Sequence, residues 1–219
     1  MAESAVVNDR VLIVAFDPWA RRVASLIGRA ATLPGYAVID GEAVATGELV
    51  DRAATAAVVG LLGGGGCERN ELRVALQARR LTHLTVRRAE SSLWVGPTVV
   101  AHRPGCDWCW QARQRQHAGA LAARESGTGV EAGADVDRVR LGARAAVAVT
   151  RHVLGSPEAE AGVVRGFARD GSTAHIGRVI AVTGCTRCDA AIDRPAGWCL
   201  RSRRSPGAAL PEIREEVKT

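Results

Sequence analysis

The chain has 219 residues, 47% hydrophobic and 24% charged, enough to bury a sizeable core as one large domain or two small ones. Its formal charge of +6 comes almost wholly from arginine, Lys218 being the single lysine, so an acidic partner suits the surface although charge alone names none. No apolar run reaches the ~18 residues a membrane helix needs, and "MAESAVVNDR" has neither a basic n-region nor an apolar h-region, so a soluble, cytoplasmic protein is expected.

The first strand is expected at "RVLIVAF" (10–16), a β-branched apolar run that reads as buried on both faces. "DPWARRVASLIGRAA" then repeats apolar residues at helical spacing through Val23, Leu26 and Ile27. "YAVID" (36–40) predicts a second strand, "ATGELVDRAA" a short helix and "TAAVVGLL" (55–62) a third buried strand. This alternation argues an α/β fold with a doubly wound, Rossmann-like parallel sheet. With aromatics at only 4%, its core should consist of small aliphatic side chains.

After "GGGG" (63–66), "CERNELRVALQARRL" predicts a surface helix through Leu72, Val74, Ala75 and Leu76. "THLTVRR" and "LWVGPTVVA", joined by "AESS", predict two strands that extend the sheet in antiparallel fashion. "CWQARQRQHAGALAAR" reads as a helix and "ESGTGVEAGAD" (125–135) as a mobile Gly-rich loop. "VRLGARAAVAVTRHVLG" (139–155) is the most strongly helical segment, and "GVVRGFAR" and "AHIGRVIAV" form a closing hairpin around "DGST". From Asp193 the chain is rich in Pro, Arg and Glu, which divides it into one domain over 1–192 and a flexible tail over 193–219.

Four of the six cysteines fall in two CxxC pairs, Cys106 with Cys109 and Cys185 with Cys188. Intracellular thiols stay reduced, so a disulfide framework is not expected and the arithmetic favours metal. Each CxxC makes a tight knuckle suited to two corners of a tetrahedron, and the contexts "RPGCDWC" and "VTGCTRC" suggest matching knuckles that share one structural zinc. A redox pair is the alternative for Cys106 and Cys109, which stand at a helix start where a thiol pKa falls. Cys199 is the substitute ligand, Cys67 reads as an ordinary buried thiol, and Trp108 and Trp110 read as packing around the clasp or as a partner-binding face.

A parallel sheet invites a phosphate cradle after its first strand, but that turn reads "AFDPWARR". It has no glycine, it presents Asp17 to any phosphate, and Pro18 removes an amide donor, so no ATP binding is expected. The quartet Gly63 to Gly66 precedes a helix but lacks a P-loop ending, and a flexible turn is preferred there over an anion site. His83, His102, His117, His152 and His175 are scattered away from any nucleophile pattern, which leaves no catalytic residue to assign; His102 and His117 merely flank the first knuckle.

The doubly wound start, "WVGPTVVAHRPGCDWCWQAR" and the late "VIAVTGCTRC" together resemble the ThiF-like proteins (ocin-ThiF-like, or cyclodehydratase C proteins) that partner YcaO enzymes in thiazole/oxazole-modified peptide biosynthesis. The wider group, the ubiquitin-activating-like adenylyltransferases, carries GxGxxG after its first strand and DxDxVxxSNLxRQ after its second. Here "AFDPWA" replaces the first. At the second, Asp40, Glu42, Val44 and Leu49 match, while Gly47, Glu48 and Asp51 stand at the Ser, Asn and Arg positions. The resemblance therefore implies a degenerate, non-adenylating member whose ATP chemistry belongs to a separate YcaO protein. Family members begin with a winged-helix peptide-recognition domain, whereas this sheet begins at Arg10; a short form is implied, with the precursor peptide bound directly or through another subunit.

The function expected is a zinc-stabilised scaffold subunit that docks a YcaO cyclodehydratase and helps present a ribosomal precursor peptide for azoline formation; a homodimer is compatible with it. A zinc-containing nucleic-acid-binding module is the first alternative, but the knuckles lie far apart and Arg103, Arg113, Arg115 and Arg187 are not interleaved with an aromatic platform. A stand-alone adenylyltransferase or dithiol oxidoreductase is the second.

Overall fold

The structure, a computed structural model, describes residues 10–29, 33, 35–63, 67–89, 92–121, 134–168 and 170–189. Seven strands form one sheet in the spatial order β2-β1-β3-β4-β5-β6-β7. The first four, β1 (Val11–Ala15), β2 (Tyr36–Asp40), β3 (Val58–Leu62) and β4 (His83–Arg88), are parallel and are linked by α1 (Pro18–Arg29), α2 (Thr46–Ala53) and α3 (Cys67–Ala78). β5 (Leu93–Val95), β6 (Val163–Phe167) and β7 (Thr173–Arg178) add the expected antiparallel extension. Between β5 and β6 run α4 (Asp107–Leu121), α5 (Ala134–Gly155) and the single turn α6 (Pro157–Glu160); α7 (Thr186–Asp189) follows the hairpin.

β1 and β3 are buried at every position because their β-branched and leucine side chains meet helices on both faces. One face packs Val11, Ile13 and Ala15 against Trp19, Val23 and Ile27 of α1 and Val139, Ala146 and Val149 of α5. The other packs Leu12, Val14, Val59 and Leu61 against Leu49 and Val50 of α2 and Leu72 and Leu76 of α3. Strand order reverses between β1 and β3, which makes their carboxyl ends the topological switch point. No helix among the described residues is long and apolar enough to cross a membrane.

Three boundaries differ most from the sequence expectation. The run 93–101 is not one strand: Gly96 at φ +103° and a cis Gly96–Pro97 bond turn the chain after Val95, and Pro97 has no N–H to continue a ladder. Thr98 and Val99 instead make isolated bridges to Ala161 and His83. α5 begins at Ala134, earlier than the apolar stripe alone indicated, because its first turn is polar. β7 stops at Arg178, where Val179 N–H turns to the Gly162 carbonyl and the chain leaves for the second knuckle. The expected loop falls largely outside the described residues, as do the expected tail and Cys199.

Candidate metal centre

The two knuckles stand at opposite ends of a long detour in sequence and face each other in space. Each begins on a glycine with positive φ, Gly105 at +97° and Gly184 at +77°. Gly105 has a second reason to lack a side chain: a Cβ there would lie 2.5 Å from the Val179 carbonyl oxygen. That close approach brings the strand leaving β7 alongside the turn that enters α4. Val182 N–H donates to Cys109 Sγ at 3.3 Å, so the two segments also meet at a sulfur.

Cys106, Cys109, Cys185 and Cys188 are each at most 3% exposed, and their four sulfurs all lie within 4.8 Å of one another. The separations are 3.8 Å for Cys106–Cys109, 3.7 Å for Cys106–Cys185 and 3.5 Å for Cys109–Cys188. A disulfide would need about 2.05 Å, and all four are free thiols. A tetrahedron of sulfurs each ~2.3 Å from a central zinc has edges of about 3.8 Å, so the spacing matches what a four-thiolate site requires. Hydrogen bonding to Cys188, then burial, pushes the Cys106 thiol well above the ordinary range, and burial does the same to Cys109. Four buried thiols disfavour charge on their own; a dication reverses that balance by ligating the thiolates. The set could therefore hold a metal ion and would leave no open coordination position.

Around the sulfurs, Val99, Val164 and Val179 complete a small cluster, with Trp94 and Trp110 packed on it at a ring separation of 5.8 Å. Trp110 is thus packing for the clasp. Trp108 is 42% exposed, with the guanidinium groups of Arg115 and Arg187 5.0 and 5.2 Å from its ring centre. In sequence these arginines are not interleaved with an aromatic platform; folding gives Arg115 and Arg187 a shared ring, because α4 brings Arg115 back two turns after Trp108 while α7 brings Arg187 across the clasp.

At the switch point the chain supplies its own anions. Ala20 N–H at the start of α1 donates to Asp17 Oδ1 at 2.7 Å, so the helix terminus that a phosphate would occupy is capped from within. At the end of β2, Arg21 reaches Asp40 at 2.8 Å and Glu42 at 2.5 Å, and the bond from Arg21 holds the Asp40 carboxyl below its usual range. Asp40 is the position from which a dinucleotide-binding fold recognises ribose. Val44 and Leu49 pack in the core, Glu48 pairs with Arg52, and Asp51 with Arg79.

None of the histidines with described side chains joins the sulfur cluster. His83 is buried beneath the Leu81 carbonyl, His102 lies beside Arg80, and His175 rests on Trp94. Sequence reasoning missed a buried group beside the clasp: Arg69 and Arg73 of α3, Arg87 of β4 and Asp107 of α4. The i, i+4 spacing of Arg69 and Arg73 on the sheet-facing side of α3 was its only trace.

Fold and cysteines together define a class: a doubly wound α/β domain with an antiparallel extension and a four-cysteine clasp at its closing hairpin. No protein-family model matches the chain, and no curated protein matches it by sequence. Among solved structures, a heterocyclase in complex with substrate and cofactor is similar with a TM-score of 0.50 at 14% identity, over 83% of this chain and 25% of that one. A chain of the E. coli microcin synthetase McbBCD complex is similar at 0.51 and 9% identity, over 85% and 71%. E. coli MccB, solved with selenomethionine MccA, is similar at 0.51 and 11% identity, over 84% and 67%. The chain thus spans about a quarter of the heterocyclase chain it matches. Its structural neighbours are heterocyclase and microcin-synthetase proteins, and the fold is the one they share.

Proposed function

We propose that the chain is a non-adenylating, zinc-stabilised scaffold subunit of a YcaO-type cyclodehydratase complex, helping to present a ribosomal precursor peptide for azoline formation in the cytoplasm. The observation that carries this reading is the fold shared with a heterocyclase chain and a chain of the microcin synthetase complex, in a protein whose nucleotide position is filled by its own side chains. Asp17 on the α1 terminus and Arg21 across Asp40 both work against a bound nucleotide, which supports placing ATP chemistry in the partner. Cys106, Cys109, Cys185 and Cys188 would hold the zinc, and as a closed four-thiolate site it would fasten the closing hairpin to the middle of the chain without taking part in chemistry. Co-expression with the YcaO-domain protein should yield a complex that survives size-exclusion chromatography; two separately eluting proteins at micromolar concentration would refute the reading.

A further MccB structure of similar fold holds AMPCPP, an ATP analogue, together with MccA, which favours a second reading, a stand-alone adenylyltransferase. ATP–pyrophosphate exchange by the isolated chain would establish it and displace the first.

A further inference from the structure

Three arginines and one aspartate meet beside the carboxyl ends of β3 and β4. Arg69 and Arg73, four residues apart on α3, are each 4% exposed. Arg73 forms an ion pair with Asp107 Oδ2, which also accepts a bond from Gln111 at 2.9 Å. Arg87 lies 3.7 Å from Asp107 Oδ1, and Arg69 donates to the Gly63 carbonyl. Asp17 and Asp107 both act on Arg69 and favour its charge, whereas Arg87 and Arg73 oppose it. Among the described side chains these three cations face two carboxylates, and Arg187 also opposes the charge on Arg73.

The hydrogen bonds also leave donors in excess. Among the described residues Arg69 Nε and Arg73 Nε and Nη1 are buried N–H donors with no partner, against one unpaired buried acceptor, Asp107 Oδ1. Guanidinium groups this deep normally satisfy their forks, because each unpaired charged donor forfeits its hydration. A metal-bound four-thiolate clasp would be an anion nearby, and Arg73 does feel Cys106. No described contact pairs these three N–H groups with a cysteine sulfur, so the clasp does not satisfy them. Arg87, with its side chain 20% exposed, is the member that reaches toward solvent. The cluster also flanks the switch point, where open α/β sheets receive their ligands.

We propose that Arg69, Arg73 and Arg87 form a binding site for a singly charged oxyanion, a carboxylate, approached past Arg87. A carboxylate is anionic and planar and offers two acceptors to the unpaired forks. The site does not depend on the scaffold reading and stands or falls separately from it.

The test is thermal unfolding of the full zinc-loaded chain in sodium acetate, sodium phosphate and sodium chloride at matched ionic strength near neutral pH. Acetate should raise the midpoint above chloride by about 2 °C or more, as preferential binding to the folded state requires. Calorimetric titration should show acetate affinity falling about tenfold or more in both Arg87→Gln and Arg69→Met, with Arg87→Gln folding normally because it is partly exposed. Equal midpoints in all three salts would mean an adventitious ion only and overturn the proposal. Stabilisation by phosphate without acetate would overturn the carboxylate assignment, and undiminished acetate binding in both variants would overturn the location.

Discussion

His83 offers a test of how dry the junction between sheet and clasp is. Its imidazole is 1% exposed on β4, and Nδ1 lies 2.9 Å from the Leu81 carbonyl, to which it donates. Burial pushes its pKa down from 6.5 to about 4; the bond to Leu81 opposes that shift, and Arg73 adds to it. Between those two values the unfolded chain binds a proton that the folded chain does not, so stability is full near neutrality and falls as pH drops through the window. Below pH ~4 this contribution levels off. A difference of about 2.5 pKa units corresponds to about 3 kcal/mol, most of it lost by pH ~4.5. His83→Leu removes the titration and leaves the Leu81 carbonyl without its donor, at a cost of about 1 kcal/mol near neutrality. Urea unfolding of the zinc-loaded wild type and variant at pH ~7 and ~4.5 separates this from the clasp, whose own titration is common to both proteins. The wild type should lose about 2 to 3 kcal/mol more than the variant between those pH values. Equal losses would refute a buried neutral imidazole.

Four further outcomes are expected. Elemental analysis should find about one zinc per wild-type chain and none in either Cys106→Ser or Cys185→Ser; retention in either variant would separate the two pairs. Because the Cys106 and Cys109 pKa values are raised, ligation displaces protons, and zinc affinity should fall as pH is lowered, measurable by competition with a chromophoric chelator. Gly105→Ala should destabilise by about 2–4 kcal/mol in chemical unfolding, since its φ of +97° and the Val179 carbonyl both exclude a Cβ; a change below about 0.5 kcal/mol would contradict the close approach. Asp17→Ala should cost about 1 kcal/mol in the same assay through loss of the α1 cap, and a neutral result would show that cap idle.

The parallel half of the fold was legible because β1 and β3 are runs of β-branched and leucine residues that only a doubly covered strand can bury, while Val23 and Ile27 mark a helix by their spacing. The clasp was legible for a different reason. A CxxC behind a glycine is a local signal, and two of them in one chain imply each other across any distance. Long-range charge had no such signature. Arg69, Arg73, Arg87 and Asp107 come from α3, β4 and α4, and each looks in sequence like a solvated surface residue; only the packing of α3 beside the first knuckle buries them together. The end of β5 was hidden likewise, because "LWVGPTVVA" reads as one apolar run until Gly96 takes a positive φ.

The switch point joins these observations to function. Asp17 and Arg21 spend on internal contacts the groups that a nucleotide site would leave open, and the cysteines brace the hairpin rather than exposing a reactive thiol. The proposed scaffold role places the chemistry in a partner. The direct measurement is mass spectrometry of a precursor peptide incubated with ATP and the YcaO protein, with and without this chain. Loss of one water per azoline is expected only when both proteins are present, and full dehydration by the YcaO protein alone would rule the scaffold role out.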